Sequence, residues 1–209
     1  MPGKRKLSDE FKWTDVINEY TIPSTHEEHE DPPSDLDYYT PYIRCTYVNP
    51  TTGTECHRHT RTNNQYCASH LKKVLGLRVG PSMIPNAGLG LFATRQFPPK
   101  KKIVEYTGRI ISVKEANKLP NSNAYLAQLG QRVIDGEDPL QSSVARYAND
   151  PRKSGMKANV KFTANYAKKT MWLESVKVIK AGDEILLPYG DDYWKESESN
   201  SSRKKKKTK

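Results

Sequence analysis

No stretch of this 209-residue chain approaches the roughly 18 consecutive apolar residues that a membrane helix needs, and no apolar signal-peptide core follows Met1. Apolar residues are scarce throughout, at 35% against 28% charged, so part of the chain is expected to lie outside any packed core. The sequence reads as soluble and intracellular. Cysteine is rare as well. The three present are an odd number, which no disulfide framework can use completely. Cys45, Cys56 and Cys67 share one short window, and that clustering favours a metal over disulfides.

Positive charge is what the chain has in excess, and it is unevenly spread. Residues 1–40 carry four Lys/Arg against ten Asp/Glu, whereas Arg203 to Lys209 carry six cations and no acid. The formal net charge of +10 therefore belongs to the middle of the chain. Such a body suits an acidic partner or a place near nucleic acid. Residues 1–40, with tandem Pro32 and Pro33, read as a disordered acidic arm. Residues 196–209 read as a disordered basic tail. Its lysine run fits a nuclear-import signal, a polyanion-binding tail or a solvated charge run.

The cysteine window, within residues 41–75, has the spacing Cys45-x10-Cys56-x10-Cys67-x2-His70. Three thiolates and one imidazole make a closed tetrahedral set suited to structural zinc. The window has little apolar material, so metal binding would supply much of its folding free energy. His57 and His59 compete for the fourth position, and the Cys-x2-His step favours His70. The pattern resembles small Cys3His modules of eukaryotic nuclear proteins, some described as DNA-binding. Arg44, Arg58, Arg61, Lys72 and Lys73 face Glu55 alone, which fits phosphate contact or a solvated basic face equally well.

From Leu77 onward short runs of strand length dominate: "LRVGPS", "GLGLFAT", "KKIVEYTGRII", "QRVIDG", "ARYAN", "NVKFTAN", "TMWLESVKVI" and "DEILLPYG". Val, Ile, Tyr and Phe fill them, and Gly, Pro, Asn and Asp separate them. Ser112 with Glu115 predicts a capping box opening a helix that Pro120 limits. The expected architecture is mainly β with few short helices.

Several of these pieces also carry an ordered set of motifs. Gly88-Leu89-Gly90, "EYTGRIIS", "NAYLAQL", "VIDG", "ARYAND", "KANVKF" and "DEILLPYGDDYW" follow one another in that order. Together they resemble the SET domain of protein lysine methyltransferases, over about residues 76–195. The resemblance implies small twisted β-sheets with a C-terminal pseudoknot beside the zinc-stabilised module. It implies S-adenosyl-L-methionine as cofactor and a target lysine entering by a narrow channel. Cofactor contacts would fall on Gly88, Leu89, Gly90, Tyr125, Arg146, Tyr147, Asn149 and, largely through its backbone, Asp150. Asn159 matches a further family asparagine. Tyr189 matches the catalytic tyrosine, and Tyr106 and Phe162 would stand in the channel walls. Trp194 is placed either over the cofactor or in the core.

Two departures stand out. Asp150 occupies a position where the family has histidine, and Leu187 occupies one where it has an aromatic that tunes methyl number. The number of methyls added stays open. The function implied is S-adenosylmethionine-dependent methylation of a protein lysine, with a histone as expected substrate and the nucleus as setting. The alternative is a catalytically silent chromatin or DNA-binding adaptor using the zinc module and the tail. DNA or nucleosome contact is compatible with both, and membrane association with neither.

Overall fold

Ten short strands and two single-turn helices build the computed structural model, which describes residues 42–119, 125–152 and 154–191. The expected acidic arm, the basic tail and Trp194 lie outside the described residues.

The first unit is tied together by few regular bonds. Strand β1 (Ile43–Arg44) pairs antiparallel with β2 (His59–Thr60). Helix α1 (Ala68–His70) runs straight into a π-helical turn, Leu71–Leu75. Gly76 closes that turn at φ +70°, and its N–H donates to the carbonyls of Leu71 and Lys72. A left-handed residue is what a helix end of this kind requires, and only glycine adopts it freely.

Three further sheets follow. β3 (Leu77–Pro81) pairs with β4 (Leu89–Ala93), placing Gly80 opposite Gly90. β5 (Lys102–Glu105), β10 (Thr170–Ser175) and β9 (Val160–Asn165) form an antiparallel sheet in the order β5-β10-β9. β6 (Arg109–Ser112), β8 (Arg132–Asp135) and β7 (Leu126–Leu129) form another, in the order β6-β8-β7. Burial along β10 alternates strictly. Met171, Leu173 and Ser175 point inward, while Thr170, Trp172 and Glu174 stay half-exposed, as a strand with one covered face demands. The expected capping box is present. Ser112 Oγ accepts from the Glu115 N–H, the Glu115 carboxylate accepts from the Ser112 N–H, and α2 (Val113–Ala116) follows.

Two of the strand-like runs fold otherwise. Ala145–Tyr147 lies in a 3-10 helix, Val144–Tyr147, because Ser143 Oγ caps the Ala145 N–H and Ala148 N–H returns to Ala145 O. "DEILLPYG" forms no regular strand; it is threaded between two different partners. Ala93 N–H donates to Asp183 O, and Ile185 N–H to Leu91 O, along β4. On the other side Leu187 N–H donates to Asn149 O, and Asn159 N–H to Leu186 O. The C-terminal segment is thus threaded as the resemblance implies.

The core runs through all of it. Leu77, Leu91, Leu173, Ile179 and Ile185 are fully buried, each contributing about 2 kcal/mol of transfer free energy. Leu71, from the first unit, packs in the same cluster. Asn64 completes the join, donating from its N–H to Ser142 O (2.9 Å) and from Nδ2 to Gln141 O (3.2 Å).

Candidate active site and metal centre

Cys45, Cys56, Cys67 and His70 bring four ligand atoms within 4.8 Å of one another. His70 Nδ1 lies 3.4 Å from Sγ of both Cys45 and Cys67. Ligands bonded tetrahedrally to zinc, at about 2.3 Å for sulfur, stand roughly 3.5–3.8 Å apart, so the set fits that ion. His57 and His59 are elsewhere. His57 Nδ1 meets the Arg44 guanidinium at 2.9 Å, and His59 lies edge-on against Tyr42. Tyr47 stacks on the His70 ring at 3.9 Å, and Lys73 Nζ donates to the Tyr47 hydroxyl. Partial burial, with Lys73 and Arg58 nearby, lowers the His70 pKa and favours the neutral imidazole that a metal requires.

The second site is a pocket where separate segments converge. Tyr106 follows β5, Phe162 sits in β9, Leu187 and Tyr189 come from the threaded segment, and Tyr125 and Arg146 join them in the lining. The Tyr106 and Phe162 rings meet edge to face, with centroids 5.3 Å apart. Tyr106 is 6% exposed and its hydroxyl donates to Tyr125 O at 2.8 Å. A Cβ on Gly136 would stand 3.0 Å from that hydroxyl, so glycine leaves the phenol its place. Burial pushes the Tyr106 pKa well above its ordinary value of 10.0. It is therefore a neutral hydroxyl at working pH and not a base. Tyr189 is fixed similarly, its hydroxyl donating to Ala148 O at 3.0 Å. A phenol oxygen whose proton is so committed can still accept.

Arg146 is 8% exposed, yet its guanidinium lies 3.9 Å over the Tyr125 ring and 5.4 Å from that of Tyr147. Its Nε is buried without a hydrogen-bond partner among the described residues. An orphaned buried donor beside a pocket is a place where a ligand's acceptor would be stabilised.

Leu89, Gly90 and Asn149 gather around a side chain that sequence reasoning missed, Glu184. It is 2% exposed, and its carboxylate accepts from Ser82 Oγ (2.6 Å) and Met83 N–H (2.7 Å). Asn149 Nδ2 donates to Leu89 O at 2.9 Å and reaches Glu184 Oε1 at 3.4 Å. A Cβ on Gly90 would meet Glu184 Oε1 at 2.4 Å. Gly88 has φ +69° and nothing within 4 Å of where its Cβ would be, which leaves an open cradle in the backbone. The signal for Glu184 was an acid at the head of an apolar run, a charge that must find donors if the run is buried. Asp150 also does more than its backbone implied: Oδ2 accepts from Tyr189 N–H and Oδ1 from Arg152 N–H, each at 2.7 Å. Among the sequence-selected residues, Tyr106, Tyr125, Arg146, Phe162 and Tyr189 thus share the pocket. Leu89, Gly90 and Asn149 are joined through Glu184 and the segment 148–150.

The SET domain family matches residues 88–190. The chain is 28% identical over 173 residues to histone-lysine N-methyltransferase set-17 of Caenorhabditis elegans, covering 81% of this chain and 60% of that protein. It is 31% identical over 131 residues to histone-lysine N-methyltransferase PRDM7 of Homo sapiens, covering 61% and 26% respectively. The solved methyltransferase domain of human PR domain-containing protein 2 is 20% identical, with a TM-score of 0.47, covering 75% of this chain and 97% of that one. The chain thus spans 60% and 26% of the two curated relatives' lengths.

Proposed function

Because this chain carries a SET domain over residues 88–190, we propose that it is an S-adenosylmethionine-dependent protein-lysine N-methyltransferase acting on a histone. The observation that carries the reading is the convergence of Tyr106, Phe162 and Tyr189 on one pocket with the part-satisfied Arg146. The histone follows from the substrates named for the two curated relatives.

S-adenosylmethionine, when bound, supplies an electrophilic methyl group on a sulfonium. The chain's own residues have three tasks. Gly88, Leu89, Tyr125, Arg146 and Asn149 would hold the cofactor, Arg146 through the Nε that now lacks an acceptor. The Tyr106 and Phe162 rings exclude water, and desolvation lowers the pKa of an entering lysine, favouring the neutral amine that can attack. The Tyr106 and Tyr189 oxygens, each donating its own proton to a carbonyl, are left as acceptors that orient that amine. Alignment within attack distance is then the main remaining requirement.

Zinc at Cys45, Cys56, Cys67 and His70 completes the proposal as a structural ion, because all four positions are closed by protein ligands. The basic tail and the histone substrate favour a nuclear setting.

Transfer of labelled methyl from S-adenosylmethionine to a histone panel tests the reading. Wild type should label a lysine, and Tyr189→Phe should label it about a hundredfold more slowly. No label, or equal label in both, overturns the catalytic assignment. A silent adaptor would also show no heat of cofactor binding.

A further inference from the structure

Tyr189 is held from both ends by three consecutive residues. Its hydroxyl donates to Ala148 O, the N–H of Leu187 donates to Asn149 O, and its own N–H donates to Asp150 Oδ2. The pairing begins as a parallel bridge between Asn149 and Leu186. In such a ladder the next acceptor, for the Tyr189 N–H, would be the carbonyl of Pro151. That carbonyl is already turned away, accepting from the N–H and hydroxyl of Ser154. The Asp150 carboxylate takes its place.

We infer that Asp150 is a positioning residue for Tyr189, its carboxylate supplying the acceptor that the backbone ladder fails to give at the pocket. Three observations carry this. The carboxylate is itself locked, because Oδ1 accepts from Arg152 N–H at 2.7 Å while Oδ2 accepts from Tyr189 N–H at 2.7 Å. The same two segments are tied again beyond it, by Arg152 to Asp191 at 2.7 Å. Finally, Gly190 turns the chain at φ +89° directly after Tyr189, so the extended run that carries the phenol ends there. Asp150 does not itself line the pocket; it acts through Tyr189, which does.

This inference rests on the methyl-transfer reading of the pocket, and the experiment separates the two. Full-length wild type, Asp150→Ala, Asp150→Asn, Tyr189→Phe and the double variant Asp150→Ala/Tyr189→Phe are compared. The measurements are methyl transfer to histones, cofactor affinity by calorimetry, thermal midpoint, and the Tyr189 ring resonance identified by its loss in Tyr189→Phe. Asp150→Ala should move that resonance and lower kcat about ten- to a hundredfold, as a misplaced orienting group does, with cofactor affinity near wild type. Asp150→Asn keeps one accepting oxygen and should recover part of the loss, and it serves alone if the alanine variant does not fold. In the Tyr189→Phe background Asp150→Ala should cost little more, since two residues acting as one unit are not additive. An unmoved resonance, or additive losses, overturns the inference. If wild type labels no histone and the resonance still moves, the methyl-transfer reading falls and the positioning stands.

Discussion

Asn159 satisfies the backbone of the threaded segment with its side chain. Oδ1 accepts from the Leu186 N–H at 2.8 Å, while Nδ2 donates to the carbonyl of Glu184 at 2.7 Å. Neither of those backbone groups needs a strand partner on that side, which is why residues 183–189 run extended without joining a sheet. The segment delivers Leu187 and Tyr189 to the pocket, so a buried amide far from any reacting atom decides where they arrive.

Asn159→Ala should therefore destabilise the protein by about 2–4 kcal/mol, since it leaves two buried backbone groups without partners. Asn159→Asp should be at least as damaging. It keeps an acceptor for Leu186 but sets a carboxylate against the Glu184 carbonyl. Denaturant unfolding of both variants measures this, and a loss below about 1 kcal/mol for each would show the clamp to be dispensable.

The metal centre should support the pocket as well as its own unit. Asn64 donates twice to residues 141 and 142, which lead into the 3-10 helix carrying Arg146. Purified protein should hold about one zinc per chain, as one closed set of four ligands requires. Chelation, or Cys67→Ser, should lower the thermal midpoint and weaken cofactor binding together. Less than half an equivalent of zinc, or a midpoint that chelators leave unchanged, refutes the metal assignment.

Gly88 and Gly90 should respond differently to the same added methyl group. Gly88 is open around its missing Cβ but has φ +69°, so Gly88→Ala should cost about 1–2 kcal/mol of backbone strain. At Gly90 a Cβ would meet the Glu184 carboxylate at 2.4 Å and the Ser82 backbone at 3.2 Å. That carboxylate is pinned by Ser82 and Met83 and cannot swing aside without losing buried bonds. Gly90→Ala should thus be the worse of the two, by about 1–3 kcal/mol, and Gly90→Ala/Glu184→Gln should not restore it because the side-chain volume is unchanged. Equal thermal midpoints for Gly88→Ala and Gly90→Ala would contradict this.

Much of this was legible in the sequence for identifiable reasons. Cys-x10-Cys-x10-Cys-x2-His names its own ligands, since few chemical uses compete for that set, and His70 was separable from His57 and His59 by spacing alone. β10 was legible because "TMWLESVKVI" is an apolar run of strand length. Ala145–Tyr147 misled because a short run ending in an aromatic before Asn-Asp-Pro reads as a strand, whereas the Ser143 cap opens a 3-10 helix there. "DEILLPYG" misled because its apolar run is buried by threading, which no local period records. Glu184 and the bond from Tyr189 to Asp150 stayed hidden for a related reason. Their partners, Ser82 and Met83 in one case and Tyr189 in the other, are 102, 101 and 39 positions away along the chain.

The capping box at α2 gives the fold a pH-dependent element remote from both sites. The Ser112 hydroxyl, and after it the Ser112 N–H, hold the Glu115 carboxyl below its ordinary value of 4.5. A depressed folded-state pKa means that the contribution is complete above the unfolded value and lost as pH falls through the folded one. Wild type should therefore lose an increment of stability as pH drops below about 4.5, where the unfolded chain's carboxyl takes up its proton first. Glu115→Gln keeps an acceptor for the Ser112 N–H but cannot titrate. It should lower the thermal midpoint slightly at pH 7 and flatten that increment on the acid side, so the two melting curves converge near pH 3. Measuring both proteins by circular dichroism between pH 3 and 7 checks the sign. Parallel curves over the whole range would mean that the Glu115 charge contributes nothing to the box.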